Sequence, residues 1–79
     1  MSTEGPTSRP DPPIRQVRVA QGISLRRLAY LAQVDPAHLS RVERGRASLS
    51  VDSLYRIASI LGLKDLVRLL RPYVRSLAA

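Results

Sequence analysis

The chain has 79 residues, which allows one domain with a small core, since a chain of about this length buries only roughly 60% of its unfolded surface. It has no cysteine and a single histidine, which excludes a disulfide framework and leaves no obvious ligand set for a metal ion. Thirteen basic residues, all arginine except Lys64, face six acidic ones. The net charge of +7 suits a polyanion, either nucleic acid or an anionic membrane surface, although abundant arginine can also reflect the base composition of the genome.

The first 13 residues differ in composition from the rest. They contain four of the six prolines, together with Ser, Thr and Gly, and no apolar run. This composition predicts a disordered arm and neither a signal peptide nor a membrane anchor. No later stretch approaches the roughly 20 apolar residues that span a bilayer. We therefore expect a soluble, cytoplasmic protein with a disordered arm over 1–13, a folded domain over 14–71 and a tail over 72–79.

Three helix starts after the arm share one signature. Ser24, Asp35 and Ser50 each follow an apolar residue and precede a leucine four positions later, as a helix N-cap with a hydrophobic staple does. No window alternates with period two, so no sheet is expected. The sequence predicts an all-α, compact five-helix domain with helices over 14–21, 25–32, 36–44, 51–61 and from about 64 to Pro72, with glycines 22, 45 and 62 after three of them.

The second and third predicted helices are separated by Gln33, Val34 and Asp35 alone. A connection this short makes two helices cross steeply, as in a helix-turn-helix, where the second helix lies in the DNA major groove. By itself this spacing is only moderately specific for a helix-turn-helix, because any compact helical bundle can contain a short turn.

Several stretches together resemble the phage repressor/Cro family, or XRE-type regulators, without a gap from residue 14 to residue 63. The most specific is Leu-Ser-Arg-Val-Glu-Arg-Gly at 39–45, and the others are Ile-Arg-Gln-Val-Arg at 14–18, Gly-Ile-Ser at 22–24, Leu-Ala at 28–29, and Ser50 through Ile-Ala at 57–58 to Leu-Gly at 61–62. This resemblance implies a compact helical domain that binds DNA through its third helix.

The resemblance also assigns the residues that read bases, which are Pro36, Ala37, His38 and Arg41. Arg41 can donate two hydrogen bonds to guanine, and its alternative role is a phosphate contact or a solvated surface position. His38 can donate to a base or a phosphate, or it can be a bystander. Pro36 and Ala37 lack polar side chains and would contribute shape or contact with a thymine methyl group, which departs from the Gln- or Ser-rich start of many relatives.

The phosphate contacts implied by the resemblance lie on either side of that helix. Relatives place the loop after the third helix against the DNA backbone, and the start of the second helix also favours a phosphate. Leu25 replaces a frequent Gln, so that contact is expected to be missing. The residues assigned to phosphate contacts are Ser24, Arg26, Arg27, Arg44 and Arg46, with a solvated helix face as the alternative for Arg26 and Arg27.

Two further positions follow the family pattern in a structural sense. Arg18 and Glu43 correspond to an ion pair that ties the first helix to the end of the third. Gln33 occupies a turn position that is usually glycine, where φ is often positive, and we interpret it as tolerated strain.

The preferred function is sequence-specific binding to double-stranded DNA as a small transcriptional regulator, without cofactor, metal or enzymatic activity. The alternative is an antitoxin or adaptor that uses the same fold to bind another protein. An enzyme is disfavoured, because the chain has one His, no Cys, no glycine-rich phosphate loop and no carboxylate pair. An apolar stripe near the C-terminus predicts a homodimer, unless it folds back on the chain's own core, and it comprises Leu66, Leu70, Tyr73, Val74 and Leu77.

Overall fold

The computed structural model describes residues 13–75, and within them the chain forms five α-helices and one 3-10 turn. The predicted all-α, five-helix architecture is confirmed. The arm predicted over residues 1–13 lies outside the described residues except for Pro13, which begins the first helix instead. The elements are α1 (Pro13–Ala20), α2 (Leu25–Ala32), α3 (Pro36–Glu43), α4 (Val51–Leu61), α5 (Lys64–Leu70) and the 3-10 turn Arg71–Tyr73.

The three predicted N-caps form as the local sequence dictates. Ser24 Oγ accepts from the amide of the third helical residue at 3.0 Å, Asp35 Oδ2 does so at 3.0 Å and Ser50 Oγ at 3.1 Å. All three capping residues have extended backbone, which directs the side chain back over the first turn. The starts of α2, α3 and α4 are therefore fixed by residues that immediately precede them.

The turn between α2 and α3 is closed by Gln33 in the left-handed conformation, with φ 58° and ψ 44°. Within residues 13–75 it is the one non-glycine residue with positive φ, as expected for this position. The conformation brings the Val34 amide to within 2.9 Å of the Ala29 carbonyl, which satisfies the end of α2. An L-residue pays about 1–2 kcal/mol for this geometry, so the short turn carries local strain.

The core lies where α2, α3 and α4 meet. Leu28, Leu39 and Ile57 are its largest fully buried side chains. Buried alanines at 29 and 32 on α2 and at 58 on α4 fill the remaining space. This core packs α2 against α3 and α4, with partly buried apolar side chains around it at Ile14, Val17, Ile23, Leu25, Val34, Leu49, Ile60 and Leu63.

The C-terminal segment folds back onto the chain. Pro72 lies in the first turn of the 3-10 segment, and beyond it Val74 is only 4% exposed. The amide of Arg75 donates to Asp52 Oδ1 at 3.0 Å, which fastens the segment to the first turn of α4. The prediction that Val74 belongs to an exposed dimer stripe is therefore wrong, because its own chain buries it.

The rest of the predicted stripe is divided. Tyr73 is 69% exposed, whereas Leu66 and Leu70 are half-buried and Leu77 lies outside the described residues. The sequence pattern missed Leu69, which is 66% exposed on α5. No helix within residues 13–75 has the length and apolar character needed to cross a bilayer.

Candidate nucleic-acid interface

The face of α3 opposite the core carries the residues assigned to base reading. Leu39 and Glu43 are buried, so the helix turns Ala37 and Arg41, one turn apart, toward solvent. Pro36 is exposed at the first helical position, ahead of them. Arg41 has no ion-pair partner among residues 13–75, and its guanidinium is available to an external acceptor.

His38 holds α3 to the loop that follows it. Its Nε2 lies 2.9 Å from the Ser48 carbonyl oxygen, and because a carbonyl can only accept, the ring must donate from this nitrogen. In the neutral ring Nδ1 is then an acceptor, and it is the one ring nitrogen left for an outside group. His38 thus holds the loop in position, a role that the sequence did not suggest. It also lies beside the other residues assigned to base reading.

The loop after α3 presents two arginines in a defined turn. Gly45 has φ 75°, and the amide of Arg46 reaches back to the Arg41 carbonyl at 2.9 Å. Arg44 and Arg46 are exposed on either side of this glycine, and neither has an ion-pair partner within the described chain. Their geometry suits contacts with a polyanion that runs past the end of α3.

The start of α2 adds a second group of cations. Arg26 and Arg27 are exposed in its first turn and form no ion pair with residues 13–75. Ser24 uses an oxygen lone pair as the cap acceptor, so its hydroxyl hydrogen stays available to donate. The positive end of a helix and two free guanidinium groups therefore lie together at this corner.

The charge of this region is strongly one-sided. Between residues 24 and 46 there are five arginines and two acids. Asp35 is engaged as the cap of α3, and Glu43 is buried. The exposed charge of the helix-turn-helix is consequently positive, as a DNA-facing surface requires.

Arg18 and Glu43 form the best-defined polar contact of the described chain. Arg18 Nε lies 2.7 Å from Glu43 Oε2 and Arg18 Nη2 lies 2.9 Å from Oε1, a two-point contact between residues 7% and 3% exposed. Arg18 Nη1 also donates to the Ile23 carbonyl at 2.8 Å. The hydrogen bond to Glu43 raises the pKa of Arg18 despite the opposing effect of burial, so the buried guanidinium stays charged.

The position of this pair gives it a structural role. It joins the end of α1 to the end of α3 and, through Ile23, to the turn before α2. Both side chains are shielded from solvent and engaged with each other. Arg15 approaches Glu43 from outside at 3.8 Å and is a secondary partner.

Two further side chains make polar contacts that were not predicted. Arg56 Nε, on α4, donates to the Ala32 carbonyl at 2.8 Å, and its Nη2 donates to Ser53 Oγ at 3.1 Å. Gln21 Nε2 donates to the Leu61 carbonyl at 2.7 Å. In both cases a side chain donates to a carbonyl at the end of a distant helix. Every helix end has carbonyls without a partner in the helix, but the sequence does not indicate which side chain will bind them.

Comparisons with known proteins concern the same segment. A helix-turn-helix family model matches residues 14–69, which extends beyond the resemblance to residue 63 and through most of α5. The HTH-type transcriptional regulator DdrOP3 of Deinococcus deserti is 36% identical over 50 residues, covering 63% of this chain and 39% of that protein. The crystal structure of the clp gene regulator ClgR from Corynebacterium glutamicum matches with a TM-score of 0.62 at 32% identity, covering 76% of this chain and 66% of that one. The chain thus spans about two fifths of the length of DdrOP3.

Proposed function

The chain belongs to the XRE/Cro-like helix-turn-helix family of DNA-binding transcriptional regulators, which is non-enzymatic, and we propose that it binds specific sequences of duplex DNA with α3 in the major groove. The observation that carries the proposal is the exposed face of α3, where Arg41 has no ion-pair partner within residues 13–75. We infer a small regulator that acts in the cytoplasm on the nucleoid of a bacterium or phage.

Each exposed residue is assigned one kind of contact with DNA. Arg41 reads a guanine through two hydrogen bonds, the commonest specific contact in the major groove. Pro36 and Ala37 provide an apolar surface against a thymine methyl group. His38 contributes through Nδ1, since Nε2 is engaged by the loop. Phosphates are contacted by the arginine pairs at 26–27 and 44–46 and by the Ser24 hydroxyl, and these contacts supply affinity without sequence information.

The test begins with selection of the tightest-binding duplexes from a random pool, followed by fluorescence anisotropy. We expect Arg41→Ala to weaken binding to the selected site by about 1–3 kcal/mol and to affect an unrelated duplex less. Arg41→Lys is the matched control, because it keeps the charge and loses the two-point geometry. Equal weakening on both duplexes for Arg41→Ala would reassign the residue to phosphate binding.

The same assay separates the phosphate contacts by their salt dependence. Arg44→Ala and Arg46→Ala should weaken binding on every duplex, and each should reduce the slope of log affinity against log salt by about one, because one phosphate is no longer neutralised. An unchanged slope in both variants would remove the loop from the interface. Failure of the intact protein to bind any duplex even at low salt would favour the alternative function, an antitoxin or adaptor that binds another protein.

We also propose that the chain binds DNA as a homodimer, which the exposed apolar side chains of the C-terminal segment support. Leu69 and Tyr73 are one turn apart on the surface, with the half-buried Leu66 and Leu70 beside them. Pairing these residues across a two-fold axis would remove apolar surface from water and present two recognition helices to half-sites about 34 Å apart, or a multiple of that distance.

Sedimentation velocity tests the dimer with a variant that leaves the core intact. Leu69→Asp combined with Tyr73→Ser changes only exposed side chains, so we expect a folded monomer with weaker binding to paired half-sites. Deletion from Tyr73 onward is a poorer test, because it would also remove the buried Val74. An intact protein that sediments as a monomer at high micromolar concentration would contradict the proposal.

A further inference from the structure

A second basic feature lies away from the helix-turn-helix, in an open cleft of about 530 Å³ between α4 and α5. None of residues 24–46 lines it, so it is distinct from the proposed DNA-binding face. The α5 side of the cleft is formed by residues at helical spacing, three of them cationic, and the α4 side by a tyrosine and a serine. The lining residues are Tyr55, Ser59, Gly62, Lys64, Val67, Arg68 and Arg71.

The cations of this cleft are uncompensated. Lys64, Arg68 and Arg71 form no ion pair or side-chain hydrogen bond with any residue in 13–75. Among residues 13–75, none of the acidic ones lines the cleft. Like charges held around one concavity repel one another, and an anion that enters between them relieves that repulsion.

The polar groups of the cleft are mainly donors. Ser59 Oγ already donates to the Tyr55 carbonyl at 2.9 Å, whereas the Tyr55 hydroxyl has no hydrogen-bond partner within the described chain. Two guanidinium groups, an ammonium and a phenol can therefore converge on a ligand that offers several acceptor oxygens. A phosphate group has this character, and arginine binds it through two parallel hydrogen bonds.

We propose that this cleft binds a phosphorylated small molecule. Its volume lies within the range of about 300–1,000 Å³ typical of small-molecule sites. Arg68 and Arg71, one turn apart, bind the phosphate. Its remaining oxygens are bound by Lys64 and the Tyr55 hydroxyl. The Tyr55 ring and Val67 provide an apolar surface for the organic part of the ligand. The site is independent of the proposed DNA-binding function and would exist whether or not α3 reads DNA.

The test uses inorganic pyrophosphate as the probe, titrated into the full chain and followed by two-dimensional NMR of the backbone amides. We expect saturable shifts at residues 55–71, and binding weakened roughly tenfold or more by the double variant Arg68→Ala/Arg71→Ala, because two charged hydrogen-bond donors are removed. The control Arg44→Ala/Arg46→Ala removes the same charge from the other face and should leave this affinity within about twofold. Thermal unfolding of both variants checks that the exposed substitutions preserve the fold.

Three outcomes would overturn the proposal. One is the absence of saturable shifts at residues 55–71 in the intact protein. Another is equal weakening of pyrophosphate binding by the two double variants, which would show a response to overall charge and no site. The third comes from DNA titrations of the Arg68→Ala/Arg71→Ala variant, since a salt slope reduced by about two would mean that DNA phosphates occupy the cleft. An unchanged DNA salt slope together with abolished pyrophosphate binding supports the small-molecule site.

Discussion

The helix-turn-helix and the C-terminal segment are held in place by different kinds of interaction. Around α2 and α3, directional contacts fix the geometry, from the two-point Arg18–Glu43 pair to the bond between Arg56 and the end of α2. By contrast, α5 has no side-chain cap at its start and no fully buried residue. The segment after α5 is held by packing and by the hydrogen bond from the Arg75 amide to Asp52. The contrast indicates that directional contacts fix the position of α3, the proposed recognition helix, whereas the C-terminal segment is held by packing that tolerates change more easily.

The largest expected effect comes from breaking the buried pair. Arg18→Ala or Glu43→Ala should each lower the free energy of unfolding by about 3–5 kcal/mol, because the remaining partner becomes an uncompensated buried charge. Arg18→Met with Glu43→Leu should be far milder, since both charges leave together. The double variant Arg18→Ala/Glu43→Ala completes a double-mutant cycle with the two alanine variants, and urea denaturation of these three and the original protein gives the coupling energy. Arg15→Ala is the surface control, with an expected cost below about 1 kcal/mol, and single-variant costs no larger than this one would contradict the assigned role of the pair.

The same side-chain deletion in the two regions sharpens the comparison. Leu39→Ala removes a fully buried side chain from the core behind α3 and should cost about 2–5 kcal/mol. Leu69→Ala removes a side chain that is largely exposed on α5 and should change stability by no more than about 0.5 kcal/mol in a monomer. Both are measured by denaturation at low protein concentration. If Leu69→Ala instead caused a large loss of unfolding free energy, and this loss increased at higher protein concentration, Leu69 would lie in a dimer contact.

A smaller loss of stability than that of Leu39→Ala is expected when the fastening of the C-terminal segment is removed. Asp52→Ala removes the acceptor of the Arg75 amide and should cost about 0.5–1.5 kcal/mol. The Arg75 amide should then exchange its hydrogen faster, while the Val34 amide in the turn keeps its protection. Asp52→Asn retains an acceptor oxygen and serves as the control. Equal acceleration at both amides would mean that the two regions unfold as one unit.

The parts of this structure that the sequence predicted are those decided within a few residues. The caps at Ser24, Asp35 and Ser50 depend on near neighbours, and the helix bounds followed from them, whereas the positive φ at Gln33 was implied by the family resemblance. Of the long-range contacts, the Arg18–Glu43 pair was implied by the family resemblance, whereas those of Arg56 and Gln21 were missed, because nothing near either residue in the sequence indicates which helix end it satisfies. Val74 was misassigned for the same reason. Its apolar character fitted an exposed stripe, and only the path of the chain after Pro72 shows that it turns inward.

The candidate site shows the same difference between local features, which were predicted, and the long-range contact of His38, which was not. Exposure of Pro36, Ala37 and Arg41 followed from the period of α3, once its buried positions were known. The link from His38 to Ser48 did not, since the two residues are ten positions apart and joined by a loop without regular structure. Which of the exposed residues contact bases stays a prediction, because it depends on the docked position of the DNA.

The link between His38 and Ser48 also gives the molecule a built-in spectroscopic reporter. His38 is the sole imidazole in the sequence, so its ring signals in a proton NMR spectrum of the untagged protein need no assignment. Opening of the loop would change the electronic environment of Nε2, whereas a base that donates a hydrogen bond would be sensed at Nδ1. A single pair of resonances can therefore distinguish loop movement from ligand contact, without the introduction of any label.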